Sequence, residues 1–148
     1  MKFLTIDPGW SGAVAFFDTQ CLQATISCPT SREPHDMMKA LKSIIGRNRP
    51  NVYIERVWSR PYERGAFSFG QNYGIWLGVA AALNLKIIYV LPKEWQDVVG
   101  KNIPKDYAER KNYFKKLAQK WVGKNHKVTL KNADAICIGM YIIKKEKK

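Results

Sequence analysis

Asp7 closes the stretch FLTID, Glu55 closes NVYIE, and Asp134 lies inside NADAICIGMYII, so three carboxylates sit in apolar runs of an otherwise basic chain. Charged side chains are seldom buried without a partner. Three acids at the margin of a core therefore call for cations, hydrogen-bond donors or a divalent metal to offset their desolvation and mutual repulsion. Carboxylates that converge on a point are oxygen ligands for a hard cation such as Mg2+, which keeps some water and also takes phosphate oxygens. Two such ions can hold a phosphodiester, one activating water and the other stabilising the leaving oxygen. Each acid also has a plainer role open to it. Asp7-Pro8-Gly9 could be a turn, Glu55-Arg56 a surface ion pair, and Asp134 a helix-start charge favoured by the dipole.

The elements that must position these acids can be read from the pattern of the chain. Residues 3–6 form a short apolar strand ending at Asp7, followed by the turn pair Pro8-Gly9 and the strand-like AVAFF at 13–17. A third strand at about 22–27 completes an antiparallel meander. Pro34 starts a helix in which Met37, Met38, Leu41, Ile44 and Ile45 recur at helical spacing, and Gly46 ends it. NVYIE is a fourth strand, about 67–83 a second helix and 86–90 a fifth strand. Residues 105–121 form an amphipathic helix with Tyr107, Phe114, Leu117 and Trp121 on one face, and a last helix begins near Asn132. The order β-β-β-α-β-α-β-α-α is an α/β domain, a mixed five-stranded sheet covered by helices. If the first and fourth strands are parallel neighbours, Asp7 and Glu55 emerge at one sheet edge, where open α/β sheets place ligands, and Asp134 can complete the cluster.

Composition narrows the partner. The 148 residues suit a single domain over 1–148, with enough length to bury one real core. Disorder is expected only in the basic tail at about 144–148, KKEKK. No run approaches the roughly 20 apolar residues of a membrane span and the start does not resemble a signal peptide, so a soluble, cytoplasmic protein without membrane partners is expected. Cys21, Cys28 and Cys137 are odd in number, sit in apolar surroundings and lack CxxC spacing, so neither a disulfide framework nor a zinc site is indicated and they read as reduced core thiols. The net charge is +13, and ten of the 25 Lys and Arg fall in residues 101–131 with only two acids. Such a field concentrates polyanions, and nucleic acid is the leading partner class; a solvated surface is the plainer account of scattered lysines.

Several motifs resemble one family. FLTIDPGWSGAVAFF looks like the first hairpin, with its leading Asp, of the RuvC-type Holliday-junction resolvases of the RNase H-like superfamily, and of their phage-encoded members in particular. YIERVW looks like the strand carrying the family's Glu, and ERVW followed by Gly70-Gln71-Asn72-Tyr73-Gly74 is similar to its catalytic strand, loop and next helix. LPKEWQDVV and DAICIGMY also look like the family, so the resemblance covers most of the chain. It implies an RNase H-like fold and Asp7, Glu55 and Asp134 as ligands of Mg2+, with Mn2+ as a substitute. It further implies hydrolysis of phosphodiesters at DNA branch points, leaving 5′-phosphate ends, and, for a phage-encoded protein, a place in the host cytoplasm.

One position departs from the family. Its members usually carry an acid or His three positions before the helical Asp, and here that position is Lys131. Lys131 could contact the scissile phosphate or replace part of a metal's charge, or it could simply face solvent. Neighbouring carboxylates oppose the fall from roughly 10.4 that a general base would need, so the catalytic role open to it is charge stabilisation.

Trp58 occupies the place of an aromatic that in the family stacks on a base near the junction centre; it could instead pack in the core, but the flanking polar loop of Ser59, Arg60, Pro61, Tyr62, Glu63, Arg64 and Gly65 favours exposure. Arg60 and Arg64 would then contact phosphates. Lys101, Lys105, Arg110 and Lys111 are further DNA-binding candidates, with a solvated helix face as the alternative. Gly70, Gly74 and Gly78 recur at four-residue intervals in the second helix, although each glycine costs about 1 kcal/mol there relative to alanine, so the stripe requires a close approach. Packing on the domain's own sheet would meet that requirement. The resemblance implies instead a homodimer, suited to paired cuts across a four-way junction. The expected function is a metal-dependent, structure-selective endonuclease for branched DNA, Holliday junctions first, with forks and flaps as further candidates. The alternatives are a YqgF-like RNA-processing nuclease and a non-catalytic junction-binding protein.

Overall fold

The protein is described by a computed structural model covering residues 1–60 and 62–147. Five strands form one sheet in the order β3-β2-β1-β4-β5, with β1 Lys2–Asp7, β2 Ala13–Asp18, β3 Cys21–Ser27, β4 Asn51–Glu55 and β5 Ile87–Val90. β1, β2 and β3 are the antiparallel meander, while β1 pairs with β4 and β4 with β5 in parallel. The β1–β4 register aligns Leu4 with Val52 and Ile6 with Ile54, so the next residues along, Asp7 and Glu55, leave the sheet side by side.

Side chains alternate between the faces of a strand, and this decides where the acids point. Leu4, Ile6, Val52 and Ile54 enter the core shared with α1 Pro34–Ile45 and α2 Ala66–Ala82. Phe3 and Tyr53, two and four residues from Thr5 and Asp7 or two from Glu55 in the alternating set, face the core shared with α3 Pro92–Val99, α4 Tyr107–Val122 and α5 Ala133–Glu146. Asp7 and Glu55 therefore belong to the α5 face. α5 lies close against the sheet: Thr5 Oγ1 donates to the Ala135 carbonyl at 2.6 Å, and a Cβ at Gly139 would come within 2.0 Å of the Phe17 ring. This contact brings the first turn of α5, with Asp134, down beside the strand ends.

Four expectations change. α3 is an additional helix after β5, only eight residues long and so too short to show a period; Pro92 opens it and the Glu94 carboxylate accepts from the Leu91 N–H at 3.1 Å. On α4 the buried residues are Phe114 and Ala118, while Tyr107, expected on the same inward face, is 66% exposed at the start of the helix. Cys28 and Cys137 are buried, but Cys21 is exposed, because it opens the edge strand β3; all three thiols are free. Of the tail at 144–148, residues 144–146 continue α5, where Lys144 and Lys145 complement the dipole, and Lys148 lies outside the described residues, as does Pro61. Among the described residues no helix is long and apolar enough to cross a membrane.

Candidate active site

Asp7, Glu55 and Asp134 are each only 8% exposed, and all three line one cavity of about 510 Å³. Their supports differ. Glu55 Oε1 accepts from the indole Nε1–H of Trp95 at 2.7 Å, and Trp95 is itself fully buried on α3. Asp134 Oδ2 accepts from the ammonium of Lys111, which reaches in from α4, whereas Asp134 Oδ1 is buried without a hydrogen-bond partner. Asp7 is fixed through its loop. The Gly12 N–H donates to the Gly9 carbonyl at 3.0 Å, and a Cβ at Gly12 would fall 2.0 Å from the Asp7 carbonyl oxygen. The Gly9 N–H donates to Asn72 Oδ1 at 2.7 Å, and Asn72 Nδ2 donates to Cys28 Sγ at 3.3 Å, so a fully buried amide on α2 anchors the Asp7 loop.

Burial and mutual repulsion show in the protonation of the acids. Burial, then the charges of Asp134 and Glu55, push Asp7 well above the carboxylate range, against the pull of Lys111. Burial lifts Glu55 to about 7, with Asp134 adding to the rise and the Trp95 hydrogen bond and Lys111 opposing it. Burial alone would lower Lys111, but Asp134 and Asp7 outweigh it and hold the ammonium up at about 12. Among the described residues no three His, Cys, Asp or Glu side chains stand close enough to form a metal cluster as they are. The donor set nevertheless fits a hard divalent cation: three buried carboxylates in excess of local positive charge, and one carboxylate oxygen, Asp134 Oδ1, without any donor. Asp7, Glu55 and Asp134 would hold it.

Trp95 is the site residue for which the sequence offered the least warning. The available signal was a tryptophan just past a parallel strand, because a buried indole N–H needs an acceptor. Trp95→Phe keeps the packing and removes the donor. Partners that orient a ligand carboxylate are typically worth about 10- to 100-fold in metal affinity, and a loss in that range is expected in Mn2+ binding measured by calorimetry. An unchanged affinity would mean that the Trp95–Glu55 bond serves stability alone.

No family model and no curated protein matches the sequence. Among solved structures, Thermus thermophilus RuvC in complex with a Holliday junction substrate superposes with a TM-score of 0.69 at 15% identity, covering 99% of this chain and 96% of that one. A second Thermus thermophilus RuvC structure gives a TM-score of 0.61 at 16% identity, again covering 99% and 96%. The fold is that of RuvC.

On this RuvC fold the remaining candidates fall into three groups. Arg110 and Lys111 line the cavity itself. Trp58, 71% exposed, and Arg64 line an adjoining recess of about 340 Å³ that shares Val57, Gly65 and Phe69 with the main cavity, and the Arg56 guanidinium lies 5.9 Å from the Trp58 ring centre. Arg60, Lys101 and Lys105 are exposed in the loops before α2 and before α4 and line neither the cavity nor the recess that together make this trough. Lys131 is not brought to the carboxylates. It is exposed in the turn before α5, where its N–H donates to Thr129 Oγ1 at 3.3 Å, and it does not line the cavity. The cation at the acids is Lys111, twenty-three residues before Asp134.

Gly70, Gly74 and Gly78 form an exposed stripe, and a Cβ built on any of them meets nothing within 4 Å. α2 packs inward through Asn72, Trp76, Val79 and Ala80 instead, so the stripe does not serve this chain's own sheet.

Proposed function

We propose that the protein is a metal-dependent, structure-selective DNA endonuclease that cleaves branched DNA of the Holliday-junction type, leaving 5′-phosphate ends. The observation that carries this reading is the convergence of Asp7, Glu55 and Asp134 on one cavity of a RuvC fold. Bound there, Mg2+ or Mn2+ would activate water for attack on a phosphodiester and offset the charge on the leaving oxygen. The chain's residues prepare the site. Trp95 fixes one oxygen of Glu55; the anchored loop of Gly9 and Gly12 holds Asp7 at the strand end. Arg110 offers a cation to a phosphate backbone in the trough, Arg60, Arg64, Lys101 and Lys105 extend that surface, and Trp58 supplies a stacking face worth about 1–3 kcal/mol per base. The bare glycine stripe of α2 is the face through which two copies would pair for symmetric cuts. For a phage-encoded protein the setting is the host cytoplasm.

One observation favours a second reading, a junction-binding protein without catalysis: a lysine is seated on Asp134, and the three acids do not stand as a ready-made cluster. Cleavage of a synthetic four-way junction, a fork, a flap, linear duplex and a structured RNA, each with Mg2+ and with Mn2+, separates the possibilities. Junction cleavage well above duplex and RNA cleavage is the expected result. Tight junction binding with no cut in either metal would select the second reading, and preferential RNA cleavage would select an RNA-processing enzyme.

A further inference from the structure

We propose that Lys111 is a built-in counter-ion of the carboxylate site, and that a divalent cation enters by displacing its ammonium from Asp134. This rests on the metal-dependent reading above. The other ion pairs among the described residues, Lys2 with Asp18 and Lys93 with Asp97, are surface pairs whose side chains are 33–86% exposed. Lys111 and Asp134 are 26% and 11% exposed, at the wall of the main cavity. Lys111 bonds Asp134 directly, and its charge also opposes, without overcoming, the rise of Asp7 and Glu55. Without a cation, three buried carboxylates would repel one another strongly, and a single lysine relieves only part of that repulsion while satisfying only one Asp134 oxygen. A divalent ion supplies twice the charge and takes several oxygens at once, so it can outcompete the ammonium, though at the expense of breaking the ion pair.

The displaced ammonium has somewhere to go. The ring of Tyr107, one turn earlier on α4 and largely exposed at the rim, is centred 6.0 Å from Lys111 Nζ and offers its face to a cation. Lys111 can therefore retract toward the rim and solvent without rearranging the backbone. Metal affinity in the absence of DNA is set in part by this competition, so the free enzyme holds its metal weakly.

Mn2+ binding to the full chain without DNA, measured by calorimetry at neutral pH, tests the proposal. Lys111→Met is expected to tighten the Kd on the order of tenfold or more, and Lys111→Arg to stay near the wild-type value. Arg110→Met, which removes a cation from the same cavity wall that makes no carboxylate contact, is expected to change the Kd less than about threefold. Lys111→Gln and the Mn2+-induced shift in Tm give the same comparison if the Met variant folds poorly. Equal affinity in wild type and Lys111→Met would overturn the proposal and leave the nuclease reading standing, as would an equal gain from Arg110→Met. No Mn2+ binding by any variant would remove both.

Discussion

Asp7→Asn, Glu55→Gln and Asp134→Asn should each abolish cleavage of a four-way junction while leaving junction binding within a few-fold of wild type. The separation follows from where these groups sit. They are buried at the floor of the cavity, whereas the cations and Trp58 that would meet the DNA backbone and bases line its wall and the adjoining recess or lie in the loops before α2 and α4. Loss of a partner that merely orients a ligand costs about 10- to 100-fold, so about 100-fold is a floor for loss of a ligand itself. The same substitutions carry a second, opposite signature. Burial and repulsion raise Asp7 and Glu55, which means that their charged forms destabilise the metal-free fold, so Asp7→Asn and Glu55→Gln should raise the metal-free Tm by a few degrees. Measured together, a lost rate and a gained Tm identify residues held for chemistry against stability. Cleavage retained in all three variants would sink the nuclease reading, and a Tm that falls in both neutralised variants would mean that these acids are structural.

Stability of the metal-free protein should fall as pH rises through neutrality, the reverse of the usual behaviour of paired carboxylates. Glu55 is raised to about 7 in the folded state from an ordinary value of 4.5. A raised pKa contributes stability that is complete below the unfolded value and is lost as pH rises through the folded one, so the window runs from about pH 4.5 to about 7. The full loss is at most about 3 kcal/mol, a Tm change on the order of several degrees in a chain of this size. Lys111, held at about 12, stays charged throughout and does not add a slope. The comparison that isolates the effect is wild type against Glu55→Gln in chelator, scanned from pH 5 to pH 8. The Tm difference between them should be small at pH 5 and widen in favour of the variant at pH 8. Adding Mg2+ or Mn2+ should close the gap from the wild-type side, because a bound cation favours the carboxylate. A gap independent of pH would mean that Glu55 ionises as an ordinary surface acid.

What could be read from the residues was whatever depends on local pattern. The runs FLTID and NVYIE ended in acids because apolar alternation stops at the sheet edge, and Pro34 and Gly46 bracketed α1 as their backbone preferences require. The parallel pairing of β1 with β4 needed only the usual handedness of a crossover through α1. What could not be read depends on approach in space. α3 has two turns, too few for a period to stand out, and its role is one indole hydrogen bond. That Lys111 reaches Asp134 depends on how α4 crosses α5, which is not a sequence distance. Tyr107 looked apolar-facing by spacing, yet the first residue of a helix can lie beyond the surface that the later turns cover. Asn72 stood inside the Gly70–Gly74 motif without a role, and a polar residue in an apolar helix marks a buried backbone group in need of an acceptor.

α2 joins two matters usually kept apart. Its buried face grips the Asp7 loop through Asn72, and its opposite, exposed face is bare backbone along three glycines. A helix is only about 10–12 Å across and moves as a rod, so a surface seated against those glycines would press on the same body that sets the height of Asp7. If a second copy were to seat there, its seating and the position of Asp7 would depend on one helix, and a tilt at one face would be felt at the other.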